Sequence, residues 1–273
     1  MQRRQLLALT IVFTASLQGC GISSSESDIN LKPTKATALL RSDIESIVYP
    51  LDKYSVSTDE LNIIERAGSI KIQECMSENG YPIDLIGTFK DRISSAERPY
   101  GIWLMDTAQQ FAYGRPEQDL GAPQLESKTP EFNHQWDSCL REAIPSSDYG
   151  ADRNALTIQL AGKANSAARK DPQTVKLIEK WKSCLQSHGG SFDGTDPWSP
   201  VEAMGDKETA IRIAVSDVQC KEDMNFVQQM ADIESSYQAT LIKENEAGLL
   251  AQRQTIEETL KGATEVVTTF SGR

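Results

Sequence analysis

Histidine is the first thing this chain lacks: two in 273 residues. A serine or cysteine hydrolase needs a base beside its nucleophile, usually an imidazole, and only His134 and His188 are on offer. His188 precedes Gly189-Gly190, where a helix-end cation meets the dipole. His134 lies two residues from Trp136, so both read as structural or surface residues. Close cysteine pairs of the Cys-x-x-Cys kind are missing too, which argues against a zinc site. So are a phosphate-cradling glycine loop and a Gly-x-Ser-x-Gly elbow. Basic residues are outnumbered, 28 Lys and Arg against 39 Asp and Glu for a net charge of -11, which argues against nucleic acid as a partner. Convincing strand alternation is absent, and with it the two α/β lobes of a transporter's solute-binding protein.

What is present begins at the N-terminus. Arg3 and Arg4 precede an uncharged run from Leu6 to Leu17. That run is too short to span a bilayer but suits a signal-peptide core. It ends in Leu17-Gln18-Gly19-Cys20, which resembles the lipobox of bacterial lipoproteins. In that family the cysteine thiol is alkylated with a diacylglyceryl group and the chain is cut just before it. Residues 1–19 are thus expected to be a lipoprotein signal peptide, with Cys20 acylated and the bilayer as its partner. Two or more acyl chains anchor stably where one is marginal. Gly21 to Ser27 has nothing to build a core, so residues 20–33 read as a flexible tether. The expected location is the extracytoplasmic face of the cell membrane.

Removing Cys20 leaves Cys75, Cys139, Cys184 and Cys220, an even set that outside the cytoplasm implies two disulfides in one of three connectivities. Residues 34–273 read as an all-α, mostly helical domain, with candidate halves 34–146 and 151–273. Ser57-Thr58-Asp59-Glu60 is a capping box, followed by Leu61, Ile64, Ala67 and Cys75-Met76, with Gly80 as stop. Thr129-Pro130 and Asp171-Pro172 each open a helix with proline in its first turn. Phe132, Trp136, Cys139 and Leu140 share one face, and Val175, Ile178, Trp181 and Leu185 another. Ala151 to Arg169 reads as a helix of small residues, Ser199-Pro200-Val201-Glu202 as a second capping box, and Tyr81 to Phe89 as the place for short strands. Lys207 to Lys221 is helical by pattern. A long helix follows from about Asp223 to Val267, in which Ile242, Leu249, Ile256, Ala263 and Phe270 recur every seven residues. That stripe is expected to pack internally. A coiled coil with an envelope partner is the alternative, its seam interrupted by Glu246 and Gly248.

Two segments echo each other: Cys75-Met76 with Gly80, and Cys184-Leu185 with Gly189. Trp136 before Cys139 and Trp181 before Cys184 repeat as well, each indole on the helix face of its cysteine. The echo favours one bridge per half, Cys75–Cys139 and Cys184–Cys220. These motifs, with Tyr100-Gly101, Ala112-Tyr113-Gly114, Asp217-Val218, Cys220-Lys221 and Tyr237-Gln238, resemble a family of actinobacterial lipoproteins and secreted proteins. The resemblance covers most of the mature chain and brings no activity with it. Ser216, where that family tends to have alanine, and a tyrosine-poor middle depart from the pattern.

No catalytic residue, metal ligand or cofactor site is assigned from sequence. Glu257-Glu258 and the Glu244/Glu246 pair read as solvated helix faces, and Asp193-Gly194-Thr195-Asp196 as a turn, lacking the ligand run of a calcium loop. Tyr100, Trp103 and Trp198 lie in loop-rich segments, where aromatic rings can form a sugar or partner surface. The expectation is a non-enzymatic binding or accessory module of an envelope complex, the alternative a cell-wall hydrolase using paired carboxylates.

Overall fold

A computed structural model describes residues 31–92, 98–115, 129–143, 155–193 and 198–271. The expected signal peptide, Cys20 and most of the tether lie outside the described residues.

Helix positions follow from local chemistry. At α1 (Thr58–Glu78) the capping box forms in full: Ser57 Oγ accepts from the Glu60 amide at 3.3 Å, and Glu60 Oε2 accepts from the Ser57 amide at 2.8 Å. This satisfies two donors that a helix start leaves orphaned. The seven residues of α2 (Met105–Phe111) have no side-chain cap and give no sequence signal. Thr129 caps α3 (Pro130–Ala143) by accepting from the Phe132 amide. The helix of small residues is α4 (Leu156–Lys170). Asp171 then caps α5 (Pro172–Ser187), and Asp206 caps α6 (Lys207–Asp223). Asn225, at φ 50°, breaks the chain before α7 (Phe226–Ser271). The Ser199 capping box does not form: Val201–Met204 is a short 3-10 turn, and Glu202 instead accepts from the Ser191 amide and hydroxyl.

The strands are not where the pattern put them. Leu39–Arg41 (β1) and Ser46–Val48 (β2) form an antiparallel pair with Leu40 opposite Ile47. Residues 81–89 are turns instead, because Gln73 Oε1 takes the Leu85 and Ile86 amides and Asp84 takes that of Gly87.

Long helix α7 organises the rest. Its 46 residues span roughly 70 Å at 1.5 Å per residue, with non-helical backbone at Asn245. Before that kink Tyr237 and Leu241 pack with Leu160 and Ala164 of α4. Beyond it Ala263 packs with Ile64 and Ala67 of α1. Arg253 meets Glu60 at the start of α1, so the two helices run side by side in one direction. The seven-residue stripe is therefore internal: Leu249, Ile256 and Ala263 are buried under helices of the same chain. Exposed Gly248, next to Leu249, is a close approach of α7 to α4, since a Cβ there would meet Leu156 Cδ2 at 2.8 Å.

Both bridges are Cys75–Cys139 and Cys184–Cys220. The two cysteine turns are alike. Gly80 and Gly189 have φ of 83° and 88°, and the Tyr81 and Gly190 amides reach back to the Met76 and Leu185 carbonyls. That left-handed stop is open to glycine and strained for other residues. Expected facial residues shift slightly: Thr174 and Leu177 are buried where Val175 is exposed, and Leu140 is exposed at the edge of its face.

Candidate functional site

Charge is buried beside α6. Asp217 is fully buried. Its Oδ1 accepts from Trp181 Nε1 at 2.6 Å and its Oδ2 from the Tyr113 hydroxyl at 3.1 Å. Lys221 Nζ lies 3.2 Å from Asp217 and donates to the Ile102 carbonyl at 2.7 Å. The ammonium also sits 5.1 Å from the centre of the Trp181 ring. Burial pushes the Lys221 ammonium pKa down, opposed by Asp217 and Glu45. Burial and Asp217 together push the Tyr113 phenol up. Gly101 is required beside this pair: at φ 75° a Cβ would stand 2.9 Å from the Trp198 carbonyl and 3.0 Å from Lys221 Nζ.

A second ion pair lies beside it. Arg98 Nε donates to Glu45 Oε2 at 2.7 Å, with both side chains almost wholly enclosed. Glu45 has φ 50°, an uncommon conformation for a side chain other than glycine. Its other oxygen accepts from the Trp103 and Leu104 amides. Arg98 also donates to the Gly114 carbonyl at 2.8 Å. Glu45 thus ties the hairpin turn to the segment carrying Tyr100 and Trp103.

From there a third polar chain leads to an open cleft. The Tyr49 hydroxyl donates to the Tyr100 hydroxyl at 3.0 Å, and Tyr100 donates to Glu234 Oε2 at 2.8 Å. Asn165 Nδ2 donates to the same Glu234 oxygen at 2.9 Å. Burial, then Tyr49 and Glu234, push the Tyr100 phenol far up, so it acts as a fixed donor. The cleft has a volume of about 450 Å³, within the roughly 300–1,000 Å³ of small-molecule sites. Its polar lining includes Asp52, Arg98, Glu234 and Gln238, and Pro99 and Ile158 form part of an apolar wall.

Each residue singled out from sequence now has a place. The expected aromatic surface is not one: Tyr100 and Trp103 are buried, and Trp198 packs against Tyr100, Trp181 and Phe226. Loop position misled because these loops cross the core. His134 and His188 are exposed. His188 lies close enough to Cys184 and Cys220 for their ligand atoms to fall within 4.8 Å, but both sulfurs are joined in the bridge. Glu244, Glu246, Glu257 and Glu258 are exposed as expected. Gly194 to Asp196 fall outside the described residues. Sequence reasoning missed Glu45, Arg98 and Glu234. For Asp217 a signal existed: it shares the apolar face of Ala210, Ile213, Ala214 and Cys220, with Lys221 one turn on.

No family model, no curated protein and no solved structure matches this chain. Among the described residues no helix is long and apolar enough to cross a membrane.

Proposed function

We propose that the chain is an extracytoplasmic lipoprotein, held to the cell membrane by acyl chains on Cys20, whose helical part is a non-enzymatic binding module of the envelope. The lipobox-like Leu17-Gln18-Gly19-Cys20 supports the anchor, and the motifs shared with actinobacterial lipoproteins agree with it. Binding is supported by one feature above others, the cleft floored by Glu234 and Gln238. Both residues are buried yet line an opening of small-molecule size. A polar floor beside an apolar wall is the usual composition of a ligand site.

The test uses the full-length lipidated protein, incubated with an envelope extract, repurified and analysed for retained small molecules. A retained compound that is lost from Ala161→Trp, which fills the cleft, supports the module. No retained compound would overturn it. Replacing Cys20 by serine is expected to release the protein from membranes without changing its melting temperature. A variant that stays tightly membrane-bound would contradict the anchor.

A hydrolase with paired carboxylates is the second reading, because Asp52 and Glu234 line the same cleft. Turnover of wall polymers, abolished by Asp52→Asn and by Glu234→Gln separately, would put it first.

A further inference from the structure

The floor of the cleft has two open hydrogen-bonding positions, and they differ in sign. Glu234 is 6 % exposed and Gln238 2 %. They lie one helical turn apart on α7, the spacing that sets side chains on one face. Glu234 uses Oε2 for both the Tyr100 hydroxyl and the Asn165 amide. Gln238 uses Oε1 for the Leu51 amide at 3.1 Å. Among the described residues nothing donates to Glu234 Oε1 and nothing accepts from Gln238 Nε2. Neither atom is among the enclosed polar atoms without a partner, and both residues line the cleft. One acceptor and one donor thus open onto the same space.

Charge decides which ligand suits them. The donors holding Glu234 are both neutral, and among the described residues no lysine or arginine pairs with it. Arg98 lines the same cleft, but its Nε is committed to Glu45 at 2.7 Å, so that pair adds no net charge. A buried carboxylate without a counter-cation is costly, and a cation entering the cleft would offset that cost. A neutral ligand would leave the charge uncompensated, and an anion would add repulsion.

We propose that the cleft binds a small organic cation, with a primary ammonium seated on Glu234 Oε1 and an oxygen of the same molecule accepting from Gln238 Nε2. Pro99, Leu51 and half-exposed Ile158 cover its carbon skeleton. The ligand class is that of an amino sugar or an amino-alcohol headgroup, which share this ammonium and oxygen. This inference rests on the cleft being the binding site of the module.

Calorimetric titration of the full-length protein in detergent tests it with matched probes: glucosamine against glucose, and ethanolamine against ethylene glycol. At least one amine is expected to bind about tenfold or more tightly than its neutral match, a factor equal to about 1.4 kcal/mol. The stronger amine identifies which source the site fits. Glu234→Gln should erase the preference. Ile158→Lys places a cation at the exposed wall and should abolish amine binding while leaving the melting temperature unchanged, so the test survives if the glutamine variant folds poorly. Equal binding of amine and neutral probes, amine preference that persists in both variants, or no amine binding at tens of millimolar each overturns the proposal. A neutral or anionic compound retained from the envelope extract would replace this ligand class and leave the binding module standing.

Discussion

Around Cys75–Cys139 the interior is apolar, built from Ile72, Met76, Leu85 and Phe132 with Trp136 packed against them. Around Cys184–Cys220 the same helix-end turn and the same tryptophan-to-cysteine spacing enclose Asp217 and Lys221. One turn design therefore supports two kinds of core. In the first, the bridge constrains a small hydrophobic cluster. In the second, it sits beside a hydrogen-bonded charge pair that fixes Trp181, Tyr113 and the Ile102 carbonyl in one arrangement. A buried pair of this kind contributes little net stability compared with apolar packing, but losing one partner is expensive.

The sharpest way to break the contrast is Asp217→Ala, which strands the Lys221 ammonium and the Trp181 indole. It should cost about 3–5 kcal/mol in urea denaturation. Replacing both Cys75 and Cys139 by alanine should cost about 2–4 kcal/mol, mainly by releasing the unfolded chain. Near-UV circular dichroism of that double variant should keep the Trp181 signal, because the charged core does not touch the first bridge. Loss of that signal would mean that the first bridge also holds the charged core in place.

Smaller effects sharpen the picture at the joints. Glu60 is paired with Arg253, which holds its carboxyl down at about 2, from an ordinary 4.5. A depressed carboxyl contributes stability that is complete above the unfolded value and lost as pH falls through the folded one. Glu60→Gln should therefore cost about 1 kcal/mol at neutral pH, and the gap to wild type should close between pH 4.5 and 2. A gap independent of pH would show that the ion pair is not what joins α1 to α7. Gly80→Ala and Gly189→Ala should each cost about 1 kcal/mol or less, from backbone strain alone. An added Cβ meets nothing closer than Arg212 at 3.8 Å at Gly189 and nothing within 4 Å at Gly80. Equal melting-temperature losses would confirm that the two turns are equivalent, and unequal ones would separate them.

Much of this architecture was legible in residue types. The Ser57 box, the Asp171-Pro172 opening, the glycine stops and the internal repeat located α1, α5, both turns and both bridges, because each is a local rule with a local cause. The stripe from Leu249 to Ala263 was legible as buried under the chain itself, because its seven-residue recurrence marks one continuous apolar face. The hairpin was not legible, since Leu39–Arg41 and Ser46–Val48 are three residues each and too short to show alternation. The cleft was least legible of all. The hydrogen bonds that hold its floor in place join Tyr49, Tyr100, Asn165 and Glu234 from distant parts of the chain, and no sequence window contains two of them. Loop aromatics looked available for binding, whereas Tyr100 contributes only its hydroxyl, as a donor holding a buried carboxylate in place.

Where the protein works rests on Cys20, and mass spectrometry of the N-terminal peptide of the natively produced protein tests it most directly. A peptide beginning at Cys20 and carrying acyl chains is the predicted result. An N-terminus elsewhere, or a Cys20 with a free thiol, would contradict the membrane-anchored module.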